Sequence, residues 1–212
     1  METIKREDIQ AWLAACATAM AENRDYLIEL DAAIGDADHG ANMDRGFKAV
    51  REKLSGLADA DIGAVLKATG MTLVSTVGGA GGPLYGTFFL QAGMKTTGKT
   101  ELDLAGWTEA LQAAVEGVVQ RGKAAPGDKT MVDALLPAVS ALQHACQQDT
   151  PLAQALQESA QAARQGMEGT IPLVARKGRA SYLGERSAGH QDPGATSSYL
   201  ILNAAAETWS GS

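Results

Sequence analysis

The sequence predicts an all-α protein, because apolar residues recur at helical spacing along most of the chain. In the first such stretch, the side chains that share one face are Ile9, Trp12, Leu13, Cys16 and Met20. No segment shows the apolar–polar alternation of a half-buried strand. Residues that favour strands are also scarce, with only three Phe and four Tyr among 212 residues. We therefore expect a single domain, residues 1–212, of eight or nine helices packed as an antiparallel bundle or closed barrel.

Local start and stop signals separate the expected helices. Gly35 should end the second helix in a left-handed conformation, and Asp61 should cap the fourth. Pro137 lies inside the seventh helix and should kink it, and Pro151 should open the eighth at its first position. The glycine-rich stretch that ends in a proline before Leu84 should break the chain between the fourth and fifth helices. The expected ranges, in order, are about 5–22, 25–34, 40–54, 62–77, 84–94, 104–121, 130–146, 151–169 and 195–207.

The composition is that of a globular protein and excludes several classes of partner. Hydrophobic residues make up 45% of the chain, charged residues 20%, and the net charge is −7. We expect neither nucleic acid nor a membrane as partner, because nucleic acids and anionic membranes need a basic face and no apolar run approaches the ~20 residues of a membrane span. The N-terminus lacks the apolar core of a signal peptide, and Cys16 and Cys146 lie among apolar neighbours without forming a disulfide framework. These features predict a cytoplasmic protein.

The most informative stretch places three carboxylates, Asp31, Asp36 and Asp38, beside a histidine and an asparagine. Three like charges this close repel one another, by roughly 4 kcal/mol per pair at about 4 Å and an effective dielectric near 20. A bound cation relieves the repulsion, and oxygen-only ligands favour Mg²⁺, which keeps positions open for phosphate oxygens. A calcium loop of the EF-hand type is excluded, because Gly40 and Phe47 stand where that loop needs an acceptor and a glutamate. An acidic loop in solvent with a helix-capping aspartate is the alternative.

Two turns before predicted helices offer backbone amides to an anion. Gly78–Pro83 comes directly before the helix expected at Leu84, and a helix start preceded by glycines is suited to phosphate. Gly127–Met131 has the same form, with Thr130 near the cap. A flexible connection for the first turn and a plain capped helix for the second are the alternatives.

The segment Thr170–Gly194 has no helical period and holds the concentrated positive charge of an otherwise acidic chain. Arg176, Lys177 and Arg179 lie close together there, and arginine binds phosphate oxygens through paired hydrogen bonds. The turn at 190–194 could hold a base or ribose through hydrogen bonds. Long loops are usually functional or disordered; we expect an ordered binding loop, with a solvated basic loop as the alternative.

Residues Gly93–Thr100 match the P-loop pattern G-x-x-x-x-G-K-T in every position. A working P-loop needs a buried parallel strand before it and a helix that begins at the lysine. Here the preceding residues have a helical pattern, and Glu101 and Asp103 follow where acids would face the phosphates. We interpret the match as a polar loop between helices and keep a P-loop ATPase as a remote alternative.

With these motifs in place, the chain resembles the nucleotide-binding subunits of bacterial dihydroxyacetone kinases, which are free-standing relatives of the C-terminal domain of ATP-dependent dihydroxyacetone kinases. The resemblance covers nearly the whole chain. Its most specific motifs are Gly35–Gly40, Gly78–Gly86, Arg176–Ser187 and Gly189–Thr196. It implies an eight-helix antiparallel barrel in which ADP caps one end.

The resemblance also implies a site, residue by residue. Asp31, Asp36 and Asp38 would hold two Mg²⁺ ions that bridge the phosphates, and Arg179 would be the catalytic residue that offsets charge on the transferring group. Relatives often carry serine where this chain has Gly81, so this position offers the nucleotide a backbone contact but no hydroxyl group. The residues implied to line the nucleotide are His39, Gly40, Ala41, Asn42, Ala80, Gly81, Gly122, Met131, Arg179, Asp192, Pro193 and Gly194.

Two partners follow from the same resemblance. Dihydroxyacetone would lie on a separate kinase subunit, held covalently by that subunit's histidine, and the donor would be a phosphohistidine-carrying protein of the phosphoenolpyruvate-dependent phosphotransferase system. Bound ADP would then be a retained coenzyme, phosphorylated in place. A kinase for another small keto-sugar such as erythrulose and an ATP-dependent form are the alternatives, and the sequence leaves open whether two copies pair as a homodimer.

Overall fold

The computed structural model describes residues 2–210, and within them it contains nine α-helices. Two short strands, β1 (Ile4–Lys5) and β2 (Glu101–Leu102), pair antiparallel. The all-α prediction is confirmed, and the predicted helix ends agree with the structure to within about three residues. The helices are α1 (Arg6–Glu22), α2 (Arg24–Ile34), α3 (His39–Leu54), α4 (Ile62–Thr76), α5 (Gly81–Lys95), α6 (Leu104–Gly122), α7 (Val132–Gln147), α8 (Leu152–Gly169) and α9 (Pro193–Ser210).

Eight of these helices form a closed ring. In the order α1, α3, α4, α5, α6, α7, α8, α9, each helix packs against the next, and α9 returns to α1. Helix α2 lies outside the ring against α3 and α9. The N-termini of α3, α5, α7 and α9 lie at the same end of the ring as the C-termini of α4 and α6. Neighbouring helices therefore alternate in direction, as expected for an antiparallel barrel.

Aromatic side chains fill the barrel at the end away from those N-termini. The rings of Trp12, Phe89, Trp107 and Trp209 lie with centroids 5.0 to 5.8 Å apart. Trp12 donates its indole N–H to the carbonyl of Ile201 at 2.8 Å, and Trp209 donates to a carbonyl of α1 at 3.0 Å. These two buried indole N–H groups are therefore paired with backbone carbonyls.

The chain around the end of α2 differs from the prediction. Gly35 follows α2 with φ −141°, so it is not left-handed; the positive φ, 62°, belongs to Ala37. A Cβ on Gly35 would lie 2.0 Å from Oδ1 of Asp31. Glycine is needed there because a carboxylate approaches its Cα, and not because of a left-handed turn.

The prolines also show where local rules were too strict. Pro83 does not separate α4 from α5, because α5 already begins at Gly81 and Pro83 lies in its first turn, where the missing N–H has no intrahelical partner to lose. Pro151 precedes the first residue of α8 as its cap instead of occupying the first position. Helix α7 continues past Pro137 to Gln147, and the kink expected there stays a prediction.

The P-loop match is a connection between helices, as predicted. Its first residues, Gly93–Lys95, are the last residues of α5, and its lysine, Lys99, precedes the short strand β2. Within residues 2–210, no parallel strand leads into it. Because it joins the C-terminus of α5 to the start of α6, it lies at the aromatic end of the barrel. The described helices include none that is both long enough and apolar enough to span a membrane.

Candidate functional site

A cleft of about 880 Å³, part of it open to solvent, lies at the other end of the barrel. The first turns of α3, α5, α7 and α9 meet around it, so the partial positive charges of four helix N-termini point at one volume. Twelve of the fifteen residues that the sequence predicted for the site line this cleft. They are Asp31, Asp36, Asp38, His39, Asn42, Ala80, Gly81, Met131, Arg179, Asp192, Pro193 and Gly194.

Three predicted residues lie outside that lining. Gly40 faces α2, where a Cβ would lie 2.1 Å from the carbonyl oxygen of Arg24, so its place in the sequence is explained by close packing of α2 on α3. Ala41 follows it in the first turn of α3. Gly122 ends α6 and lines an adjoining cleft together with Met131. Contacts of these three residues with a nucleotide stay predictions.

The three carboxylates meet as predicted, and each offers an oxygen within 4.8 Å of the other two. Asp31 is buried at the end of α2 and accepts hydrogen bonds from the backbone N–H groups of Asp38 (2.9 Å) and His39 (3.1 Å). These bonds tie the end of α2 to the start of α3. Asp36 and Asp38 are exposed to the cleft. Oxygen-only donors within this span fit a divalent cation such as Mg²⁺.

Arg179 lies at the edge of the same cluster. Its Nη2 atom is 3.0 Å from Oδ2 of Asp36, and the two side chains are 66% and 33% exposed. An ion pair this exposed contributes at most about 1 kcal/mol. Each partner can therefore give up this ion pair when a ligand binds: Arg179 can bind a phosphate instead, and Asp36 can bind a cation.

His39 is held by hydroxyl groups that the sequence did not single out. Its Nε2 lies 2.8 Å from Oγ of Ser197, and that hydroxyl lies 2.6 Å from the hydroxyl of Tyr85. Burial lowers the pKa of His39, against the opposite influence of the nearby Asp31 and Asp38. The imidazole is therefore neutral at pH 7. Tyr85 and Ser197 occur in apolar helical stretches, where periodicity predicts core positions and nothing marks a polar network.

The glycine turn before α5 borders Asn42. A Cβ on Gly78 would lie 3.0 Å from the side-chain oxygen of Asn42, and Gly79 has a positive φ of 61°. Arg45 donates to that same oxygen at 2.5 Å and to the carbonyl of Thr76 at 2.9 Å. The arginine thus fixes the amide so that its Nδ2 group remains the donor available to a ligand.

The turn before α7 is both a helix cap and part of the cleft. The hydroxyl of Thr130 accepts from the N–H of Val132 at 3.2 Å, and Asp133 accepts from the N–H groups of Thr130 (2.7 Å) and Gly127 (2.5 Å). Lys129, Thr130 and Met131 nevertheless line the cleft. The helix cap is therefore confirmed, and a contact of this turn with a ligand stays a prediction.

The predicted binding loop is ordered. Residues 170–192, here called the basic loop, contain 3₁₀ turns at Arg179–Ser187 and end at Asp192. The buried carboxylate of Asp192 caps α9 by accepting from the N–H of Ala195 at 2.7 Å. Burial raises the pKa of Asp192 to about 7. One fixed side chain thus joins the basic loop to the start of α9.

Comparisons with known proteins identify the family. The profile of the DAK2 domain matches residues 33–207, and the chain belongs to this family. It is 48% identical to the protein named "PEP-dependent dihydroxyacetone kinase, ADP-binding subunit DhaL" of Escherichia coli (strain K12), over 94% of this chain and 95% of that one. It is 41% identical to the "PTS-dependent dihydroxyacetone kinase, ADP-binding subunit DhaL" of Lactococcus lactis subsp. lactis, over 90% of this chain and 91% of the relative.

Longer kinases contain a similar domain. The crystal structure of the dihydroxyacetone kinase from C. freundii in complex with AMP-PNP and Mg²⁺ matches with a TM-score of 0.70 and 28% identity, over 94% of this chain and 33% of that one. The L-erythrulose 1-kinase of Mycolicibacterium smegmatis is 35% identical over 94% of this chain and 35% of its own length. This chain therefore corresponds to about one third of these kinases.

Proposed function

We propose that this chain is the ADP-binding subunit of a dihydroxyacetone kinase. In this function, ADP with two Mg²⁺ ions stays bound, receives a phosphoryl group from a phosphohistidine-carrying protein, and passes it to dihydroxyacetone on a partner subunit. The observation that carries the proposal is the cleft where three carboxylates and four helix N-termini face one another. Such a site suits a polyanion and its cations together, and relatives of nearly equal length are named ADP-binding subunits of this kind of kinase.

The diphosphate would lie between the two sides of the cleft. On one side, the backbone at Ala80 and Gly81 and the amide of Asn42 offer neutral donors. On the other side, Asp31, Asp36 and Asp38 would hold the two Mg²⁺ ions, which neutralise charge on the phosphates when bound. Neither side is complete without the other, because the carboxylates would repel a bare diphosphate.

An adjoining apolar cleft could receive the adenine. It is lined by Leu84, Val118, Gly122 and Met131, and it shares Met131 with the cleft of the carboxylates. A largely apolar cleft beside a polar, charged site matches the two ends of a nucleotide. Gly122 thereby acquires a place in the site although it does not border the carboxylates.

Phosphoryl transfer would require positioning and charge neutralisation from this chain more than covalent chemistry. Arg179, which pairs with Asp36 at the solvent side, would turn to the transferring group and offset its charge. His39 is neutral and hydrogen-bonded to Ser197, so it would orient the ligand without adding charge. The reaction asks for no general base from this chain, since the acceptor lies on the partner subunit.

A kinase subunit for erythrulose is the second candidate. The L-erythrulose 1-kinase of M. smegmatis contains a region 35% identical to this chain, and the acceptor would be chosen by the partner and not by this cleft. An ATP-dependent form differs in the donor alone. The relatives that match over more than nine tenths of their length favour the phosphoprotein as donor and dihydroxyacetone as acceptor.

The deciding experiment is to purify the chain without added nucleotide and to identify what copurifies. We expect near-stoichiometric ADP, and turnover with the dihydroxyacetone-binding subunit only when the phosphoenolpyruvate-charged phosphoprotein is the donor. Parallel assays with erythrulose test the acceptor. An empty protein that turns over steadily on millimolar ATP would reject the retained coenzyme and favour the ATP-dependent form.

A further inference from the structure

Lys129 is a buried cation to which the proposed reaction assigns no role. The residue is 1% exposed, although it belongs to a polar turn, and its backbone is left-handed with φ 63°. Lysine is almost never fully buried without a specific partner. The partners of this ammonium group therefore show why it is there.

All of these partners are backbone carbonyls of the basic loop. Nζ of Lys129 donates to the carbonyl oxygens of Thr170 at 2.8 Å and Leu173 at 3.1 Å, and also to that of His190. The oxygen of Ile171 lies at 3.4 Å. One ammonium group thus joins the first residues of the loop to its last ones, with all three N–H donors in use.

Other bonds close the loop at the same place. The N–H of Gly189 donates to the carbonyl of Ile171 at 2.8 Å, and the N–H of Asp192 donates to the hydroxyl of Thr170 at 3.0 Å. Among the described residues no carboxylate forms an ion pair with Lys129. The lysine therefore acts here as a small multidonor cation that gathers carbonyls, and not as half of a salt bridge.

We propose that Lys129 is a positioning residue. Its ammonium group holds the two ends of the basic loop together and thereby fixes the positions of Arg179 and the Asp192–Gly194 turn over the nucleotide. The proposal rests on the proposed function for its consequence, retention of ADP, but the closure itself does not need a ligand. The loop leaves the lysine at Leu173, carries Arg179 to the carboxylate cluster, and returns at His190. Loss of the hydrogen bonds from Lys129 would therefore release both ends of the basic loop at once.

The test compares two lysines of the same connection between α6 and α7. Lys129→Met removes the ammonium and keeps an unbranched side chain, so the left-handed backbone is no more strained than before. Lys123→Met is the matched control, because Lys123 is also left-handed (φ 49°) but exposed. Lys129→Gln retains an amide donor and provides a milder variant if the methionine variant does not fold.

The first measurement is limited trypsin digestion of the nucleotide-free proteins. The basic loop offers exposed sites at Arg176, Arg179 and Arg186. We expect cleavage there to be at least tenfold faster in Lys129→Met than in wild type and Lys123→Met, with the helices cut no faster. Equal rates, an equal effect of Lys123→Met, or equally fast cutting throughout the barrel would overturn the closure.

The second measurement is the rate at which bound ADP leaves in the presence of Mg²⁺. We expect release at least tenfold faster from Lys129→Met than from wild type, and turnover at saturating ADP should stay below that of wild type, because the freed loop no longer holds Arg179 at the transferring group. Faster loop cleavage with unchanged ADP release would overturn the positioning role. If wild type itself retains no ADP, the proposed function fails while the trypsin comparison still decides whether Lys129 closes the loop.

Lys129→Arg should not restore the wild-type resistance to trypsin or the slow release of ADP, because a planar guanidinium cannot replace a compact ammonium among converging carbonyls. Wild-type behaviour of that variant would overturn the geometric argument.

Discussion

Asp31 and Asp36 belong to one cluster but are held in different ways. Asp31 is buried and fixed by two backbone N–H groups, so changing it would also disturb the junction of α2 and α3. Asp36 is partly exposed, and within residues 2–210 its one ion pair is with Arg179. Asp36 is therefore the residue at which ligand binding can be removed with little effect on the fold.

We predict that Asp36→Asn loses Mg²⁺-dependent ADP binding and keeps its stability. Removing a ligating charge should weaken ADP by at least about tenfold, since even residues that only support metal ligands contribute that much. The exposed ion pair contributes at most about 1 kcal/mol to folding. Calorimetric titration with ADP and Mg²⁺, together with thermal unfolding, measures both effects.

Asp25→Asn is the control, because Asp25 is also on α2 but is 84% exposed beside Arg24. It should bind as wild type does, and wild type treated with EDTA should behave like Asp36→Asn. Wild-type ADP affinity in Asp36→Asn, or in EDTA, would contradict the role of the cluster.

The sequence predicted which residues lie together where they belong to one motif. It did not predict the position of a residue whose place depends on burial in the folded chain. Asp31, Asp36 and Asp38 could be grouped because their spacing alone brings them within one turn and loop. Lys129 could not be found in this way, since a lysine in a polar turn is normally solvated. Its burial depends on carbonyls more than forty positions away, at 170–190.

At the scale of elements, helix positions followed from local signals, and errors arose where the cause was non-local. Gly35 was expected to supply a left-handed turn, but the carboxylate of Asp31 explains it. The P-loop match failed for the same reason, because the pattern has meaning only after a parallel strand. The element after its lysine is a two-residue strand that pairs with β1.

The first turn of α5 gives a test at this scale, because adjacent glycines have different surroundings. A Cβ on Gly81 would lie 3.2 Å from Cγ1 of Val77, a side-chain atom, whereas a Cβ on Gly82 would lie 2.3 Å from the Val77 carbonyl oxygen. We predict that Gly81→Ser folds normally and tightens ADP by at most about one neutral hydrogen bond, roughly 0.5–1.5 kcal/mol. Gly82→Ser should be clearly destabilised.

Thermal unfolding and ADP calorimetry on the two variants check this contrast. Loss of binding in a folded Gly81→Ser variant would show that the turn needs glycine at that position. Equal stability of the two variants would mean that α5 and the end of α4 are less closely packed than the structure describes.

At the scale of the whole molecule, the resemblance implied an eight-helix barrel, but the order of the helices in the ring was not predicted. Periodicity shows that each helix has an apolar face, but not which helix that face meets. The pairing of α1 with α9 joins the two ends of the chain, and the pairing of α1 with α3 passes over α2. Such contacts depend on how all the apolar faces close around one core.

The closed ring has two different ends, and this difference leads to the last prediction. One end is filled by aromatic rings and contains the P-loop match. The other is surrounded by first turns of helices, whose N–H groups lack intrahelical partners.

We expect Mg²⁺ and ADP to slow amide hydrogen exchange in the first turns of α3, α5, α7 and α9 and in the basic loop, by up to about a hundredfold at a ligand concentration one hundred times Kd. Exchange around Gly93–Thr100 should change far less, because openings there do not release the ligand. EDTA should abolish the protection, since the carboxylates would then repel the diphosphate. Protection centred on Gly93–Thr100 would instead place the nucleotide at the P-loop match, and uniform protection would mean that the ligand is released only by global unfolding, so that the two ends would not be independent.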